Sequence, residues 1–226
     1  MILFDADKCV SCNSCIRACP VPEANKAVTR DGKTVYDIDP DKCISCGACV
    51  KECSHGARTY EDDTQRFWDD MKSGEKIVLL AEPSIKVAFD GCWRNVLEFL
   101  RKSGSGEVYD VSFGADICTW AHIRLVEKQP GKKLISQPCP AIVNYVLKYI
   151  PEAVGNLSPV QSPVLCAAVY LRKYLGVTAK IAALTPCIAK RDEFRLTGVV
   201  DYNVTFQHLG ELLESKGFRL SEQKGK

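Results

Sequence analysis

Cys9-Val10-Ser11-Cys12-Asn13-Ser14-Cys15-Ile16-Arg17-Ala18-Cys19-Pro20 sets four cysteines at the spacing Cys-x2-Cys-x2-Cys-x3-Cys, and Cys43-Ile44-Ser45-Cys46-Gly47-Ala48-Cys49-Val50-Lys51-Glu52-Cys53-Ser54 repeats it. A proline closes the first run, and Ser54 stands in its place after the second. Three cysteines two residues apart can wrap a tight loop around one cubane iron–sulfur cluster, while the fourth points away. Zinc sites instead pair two Cys-x2-Cys units across a longer gap, and disulfides are the remaining use of such cysteines. The spacing predicts two [4Fe–4S] clusters.

The cysteines lie in an internal repeat. Asp7-Lys8-Cys9-Val10-Ser11-Cys12 returns 34 positions later as Asp41-Lys42-Cys43-Ile44-Ser45-Cys46. Between the copies, residues 27–36 read as a hairpin, with Asp31-Gly32 as a positive-φ turn flanked by β-branched residues. Residues 1–58 as a whole resemble a bacterial-type two-cluster ferredoxin, which implies an α+β ferredoxin-like fold. In that family the fourth cysteine of each run serves the other cluster. The resemblance therefore assigns Cys9, Cys12, Cys15 and Cys53 to one cluster, and Cys43, Cys46, Cys49 and Cys19 to the second. So small a unit has little apolar core, and ligation would stabilise its fold.

Composition bounds the rest. The chain has 226 residues, and the first unit leaves about 150 for a second domain. Net charge is +2, with no basic run, so nucleic acid is not an expected partner. Met1-Ile2-Leu3-Phe4-Asp5 is not a signal peptide, and the apolar runs are too short to span a bilayer, so no membrane is expected either. Thirteen cysteines, an odd number mostly at metal-ligand spacing, point to a reducing cytoplasm.

Residues 59–75 read as a linker, polar through Glu61-Asp62-Asp63-Thr64-Gln65, with Phe67 and Trp68 packing it onto a neighbour. Residues 76–226 then alternate strand and helix signals. Strands are expected at 76–81, 108–111, 133–136 and 180–184. Helices are expected at 92–102, where Trp93, Val96, Leu97 and Leu100 recur at helical spacing, and at 115–127, 141–149, 162–176 and 206–216. Ser162 with Pro163, and Thr205, are the expected caps, and Gly217 the stop. Such alternation predicts an α/β domain with a mainly parallel sheet.

Two further cysteines gain meaning from this reading. Cys139 in Ser136-Gln137-Pro138-Cys139-Pro140 follows the expected third strand, and Cys187 in Thr185-Pro186-Cys187-Ile188-Ala189-Lys190 follows the fourth. In open α/β sheets the ligand crevice lies beyond the carboxyl ends of the strands. Both thiols would then face one cleft, with Lys190 as a cation in it. Equally, they read as two ordinary buried cysteines beside turn prolines.

These stretches, with Phe113-Gly114-Ala115-Asp116 and the helix starting Ser162-Pro163, resemble landmarks of the [FeFe]-hydrogenase large subunit in their family order. Residues 136–142 are similar to its first motif, Thr-Ser-Cys-Cys-Pro-x-Trp. Residues 185–193, ending in Lys190-Arg191-Asp192-Glu193, are similar to its second, Met-Pro-Cys-x-x-Lys-x-x-Glu. The resemblance implies that Cys139 and Cys187 are thiolate ligands of the H-cluster cubane. It further implies that Lys190 hydrogen-bonds a cyanide of the di-iron unit, with Glu193 beside it.

The departures from the family pattern matter as much. Active members use the cysteine before the first cubane ligand as proton donor, and Pro138 stands there. Their acidic relay pair falls at His122 and Leu125, and the second motif's methionine is Thr185; the relay serine is retained as Ser162. No cysteine follows Cys187, so the third motif is absent: the domain is incomplete or has lost the H-cluster, and the 226-residue chain is expected to be inactive as a hydrogenase. Cys92, Cys118 and Cys166 read as core residues or substitute ligands, and His55, His122 and His208 as structural.

Two functions follow. The first is an iron–sulfur electron-transfer protein with a redox or H2-sensing or relay role, closest to the sensory branch of the family. The alternative is a fragment of an active ferredoxin-dependent [FeFe]-hydrogenase catalysing reversible H2 oxidation. The cofactors expected are two [4Fe–4S] clusters, with a third cluster or an H-cluster if the missing part were supplied. The partner expected is a redox protein (ferredoxin or oxidoreductase subunit) or a downstream signalling domain.

Overall fold

The computed structural model describes residues 2–30 and 32–223, which form two compact units, Met1–Glu61 with Pro140–Val154, and Asp62–Cys139 with Gly155–Lys226. In the first unit β1 (Ile2–Phe4) pairs antiparallel with β4 (Arg58–Tyr60), setting Phe4 across from Arg58. The hairpin is β2 (Asn25–Arg30) and β3 (Lys33–Ile38), in register with Val28 opposite Val35. Gly32 at its turn has φ 75°, while Asp31 lies outside the described residues. The Pro140–Tyr149 helix, which the sequence assigns to the α/β domain, groups with this cysteine-rich unit instead. Tyr145 and Tyr149 pack on Val21, Ala24 and Ile44, and Lys148 Nζ donates to Cys43 O at 2.6 Å.

The second unit holds a parallel sheet in the order β6-β5-β7-β8: β5 Ile77–Ala81, β6 Val108–Asp110, β7 Lys180–Thr185 and β8 Tyr202–Thr205. β5 is buried throughout, as a central parallel strand covered on both faces must be. Its alternate residues feed different layers. Ile77, Leu79 and Ala81 meet Phe67, Val96, Leu100 and Leu209 on one side. Val78 and Leu80 meet Leu165, Ala168 and Leu171 on the other. Ser162 caps the Pro163–Lys173 helix through Leu165 N, and Thr205 caps Phe206–Ser215 through His208 N.

Three expectations need correction. Lys133–Ser136 is not a strand of this sheet; its pairing is a single parallel bridge, Ile135 with Leu157. The fourth strand is β8, a stretch in which the sequence reading marks only Thr205, as a helix cap. Over 59–75, expected as a linker, the chain completes β4 and forms the Thr64–Lys72 helix, which buries Phe67 and Trp68.

Close helix packing organises the far layer. The Ser112–Lys128 helix crosses Pro163–Lys173 at Gly114, where a Cβ would lie 2.8 Å from Ala167 Cβ and closer still to the Pro163 carbonyl oxygen. Only a glycine admits that approach. Among the described residues no helix is long and apolar enough to cross a membrane.

Candidate functional site

The two cysteine loops share one backbone device. Ser11 and Asn13 in the first loop have φ 58° and 61°, and Ser45 and Gly47, 34 positions on, have φ 60° and 80°. Left-handed residues between cysteines curl the chain so that successive thiols turn to one point. For Ser11, Asn13 and Ser45 the conformation costs about 1–2 kcal/mol each, a strain that persists where the surrounding site enforces it.

The first loop and the second run's last cysteine meet. Cys9, Cys12, Cys15 and Cys53 line one recess, partly open to solvent, together with Phe4, His55 and Arg58. Cys12 is held below the usual thiol range by its hydrogen bonds with Ser14.

The other four cysteines also associate. Cys19 and Cys43 border the Val21, Ala24 and Ile44 cluster. Burial pushes the Cys49 thiol up to about 12; Arg58 pulls it back, and Cys43, Cys46 and Cys19 push it further. Burial likewise raises Cys43, against an N–H from Ser45 at 3.4 Å.

In the second unit the chemistry gathers beyond the carboxyl ends of β5 and β7, where strand order reverses. This is the crevice position of an open α/β sheet. Cys187 N donates to Thr185 Oγ1 at 3.1 Å, and Asn203 Nδ2 donates to Cys187 O at 3.1 Å, so β8 steadies the Pro-Cys turn. Burial raises the Cys187 thiol; backbone N–H groups of Lys190 and Ala189 and the Lys190 charge oppose this, and nearby Cys139 adds to it. Cys139 is exposed. It is placed by a loop and not, as the sequence reading had it, by a strand end.

Lys190 is 5% exposed; its Nζ donates to Glu193 Oε2 at 2.8 Å and to Pro138 O at 3.2 Å. Glu82, directly after β5, belongs to the same group. Burial pushes its carboxyl up, while the Lys190 charge and a hydrogen bond with Thr185 pull it down. Nothing in the sequence reading singles out Glu82, although its place directly after the 76–81 strand is the available signal. Asn203 was missed with β8. Arg58 was missed because nothing in its neighbours marks a buried arginine.

The remaining cysteines and histidines separate. Cys92 is buried in the core. Cys118 and Cys166, brought together by the Gly114 crossing, both donate to Gln161 O, at 3.4 and 3.5 Å. His122 Nδ1 lies 3.6 Å from Cys118 Sγ, and its Nε2 lies 3.4 Å from Ser136 Oγ. His208 pairs with Asp62 at 3.0 Å.

A family profile described as "Iron only hydrogenase large subunit, C-terminal domain" matches residues 75–226, two thirds of the chain. The chain belongs to the iron-only hydrogenase large subunit family. A second profile, "4Fe-4S dicluster domain", matches residues 1–54 of this hydrogenase-family chain. A search of the curated proteins gave no match.

The residues of the first unit fit iron–sulfur clusters. The recess is walled by four thiols, and Arg58 Nη1, buried in that wall, has no hydrogen-bond partner among the described residues. Cluster sulfides and thiolates accept such N–H groups. Among the described residues no three His, Cys, Asp or Glu side chains converge as ligands of one metal ion. A cubane's thiolates stand further apart, each on its own iron. In the second unit, Cys139 and Cys187 are two thiols near one another, with the buried Lys190 cation beside Cys187.

Proposed function

We propose that this hydrogenase-family chain is an electron-transfer protein whose second unit serves as a redox or H2-sensing relay and not as a fast H2 catalyst. Its first unit is a ferredoxin-like domain holding two [4Fe–4S] clusters, one on Cys9, Cys12, Cys15 and Cys53, the other on Cys43, Cys46, Cys49 and Cys19. When bound, such clusters supply one-electron chemistry at low potential. Cys139 and Cys187 act as thiolate ligands of a further cubane, with Lys190 and Glu193 beside it.

Pro138 carries the reading. It occupies the position from which active relatives deliver the proton, and general acid catalysis needs a titratable group within hydrogen-bond reach. Proline has none, and its carbonyl accepts from Lys190 Nζ. The chain accordingly reads as a member of the sensory branch, working in a reducing cytoplasm with a redox partner protein or a downstream signalling domain.

The buried Lys190–Glu193 pair favours a second reading, that the chain is part of an active ferredoxin-dependent hydrogenase catalysing reversible H2 oxidation. Anaerobic reconstitution followed by iron analysis and an H2 assay after maturation with a synthetic di-iron cofactor separates the two. The expected result is about eight irons in the first unit and no H2 production or uptake. Vigorous H2 turnover would overturn the relay reading in favour of the second.

A further inference from the structure

The 34-residue repeat is not symmetrical around its clusters. Five positions past the fourth cysteine of each run stand Ala24, after Cys19, and Arg58, after Cys53. Both are 3% exposed. Ala24 lies with Val21 and Ile44 in the apolar patch bordered by Cys19 and Cys43. Arg58 lines the recess of Cys9, Cys12, Cys15 and Cys53.

The β1–β4 pairing places Arg58, with its guanidinium carbon 4.6 Å from the Phe4 ring centroid. Its Nη2 donates to Tyr36 O, to Asn25 Oδ1 at 3.4 Å and to Cys15 Sγ at 3.8 Å. Its Nη1 is buried without a hydrogen-bond partner among the described residues. No carboxylate is among these contacts. A guanidinium keeps its charge at any ordinary pH, and a buried charge is poorly screened.

We propose that Arg58 makes the two cluster sites inequivalent, holding the cluster on Cys9, Cys12, Cys15 and Cys53 at a higher reduction potential than its repeat partner. This rests on the reading that the eight cysteines hold two [4Fe–4S] clusters. Reduction adds a negative charge to the cluster, and potential follows net charge and hydrogen bonding to sulfur. A fixed cation touching Cys15 Sγ favours the reduced form there. The charge also reaches Cys49 of the other set, but the guanidinium's hydrogen bond to sulfur is made to Cys15. Beside Cys43 of the other set stands Lys148, an exposed residue whose Nζ donates to Cys43 O at 2.6 Å and to Pro40 O at 3.4 Å, so solvent screens it. An electron entering the pair would rest on the Arg58 side.

The test is an EPR-monitored redox titration of the reconstituted whole chain. Two potentials are expected, and the higher must be the signal lost in Cys53→Ser. Arg58→Gln should weaken electron uptake at that cluster about tenfold, a downward shift of about 59 mV for a one-electron couple, and move the other cluster less. Unchanged potentials, or equal shifts in both, would overturn the proposal, as would loss of the higher-potential signal in Cys19→Ser. Where Arg58→Gln fails to load both clusters, the wild type decides: two clusters titrating together overturn it. A wild type that takes up no iron would instead sink the cluster reading beneath it.

Discussion

Lys190 Nζ sits 2.8 Å from Glu193 Oε2, with the two side chains only 6% and 13% exposed. The pair spans one helical turn at the start of the Lys190–Thr197 helix, and half-buried Glu82 adds a second carboxyl near the Lys190 charge. Lys190→Met strands both acids without their cation and should cost about 3–5 kcal/mol in denaturant unfolding. Adding Glu193→Leu should recover part of that loss, because the buried charges then leave together. Strictly additive losses would show that the two groups do not hold each other.

Gly114→Ala drives a methyl group into Ala167 and the Pro163 carbonyl. The two helices must part, at a cost of about 1–3 kcal/mol. Gly155→Ala is the control. A Cβ there meets open space, so its unfolding midpoint should stay within about 0.5 kcal/mol of the parent. Equal midpoints for the two variants would refute the close crossing.

The Asp62 carboxylate accepts from Thr64 Oγ1 and Thr205 Oγ1 and pairs with His208. Despite burial, His208 and Thr205 hold Asp62 at about 2, down from 3.8, so its contribution is present above pH 3.8 and fades as pH falls toward 2. His208 moves the other way. Its hydrogen bond with Asp62 raises it above 6.5, so its contribution is complete below that pH and is lost as pH rises through the raised value. Chemical denaturation from pH 6 to pH 9 should show stability falling in the parent and a flatter curve in His208→Gln. Matching slopes would remove the pair from the pH response.

Cys19→Ser should impair the cluster of Cys43, Cys46 and Cys49, because Cys43 and Cys49 both sense Cys19, and spare the one in the Cys9 recess. Cys53→Ser should do the reverse. EPR and iron analysis of both variants read this directly, and damage confined to each serine's own run would show that the fourth cysteines do not cross.

Local chemistry made much of this protein legible. Cysteine spacing, the 34-residue offset, the hairpin turn at Gly32 and the caps at Ser162 and Thr205 are all contained within a few neighbouring residues. So is the apolar run of β5, which is long enough to declare a buried parallel strand.

What only the tertiary structure decided depends on partners distant in sequence. Tyr202–Thr205 is a strand because β7 offers it a parallel edge, and Asp63 Oδ2 and Asp62 Oδ2 accept from Asn203 N and Thr205 N at 3.0 Å each. Lys133–Ser136 has a strand-like sequence but lacks such an edge beyond one bridge. The Pro140–Tyr149 helix leaves the α/β unit because Tyr145, Lys148 and Tyr149 find Ile44, Cys43 and Lys42. Arg58 reads as a surface arginine until β1 lays Phe4 across it and four cysteines from two loops close around the same recess. Short-range spacing determines which residues can bind iron, whereas burial, which sets their charge and potential, arises only when remote segments pack.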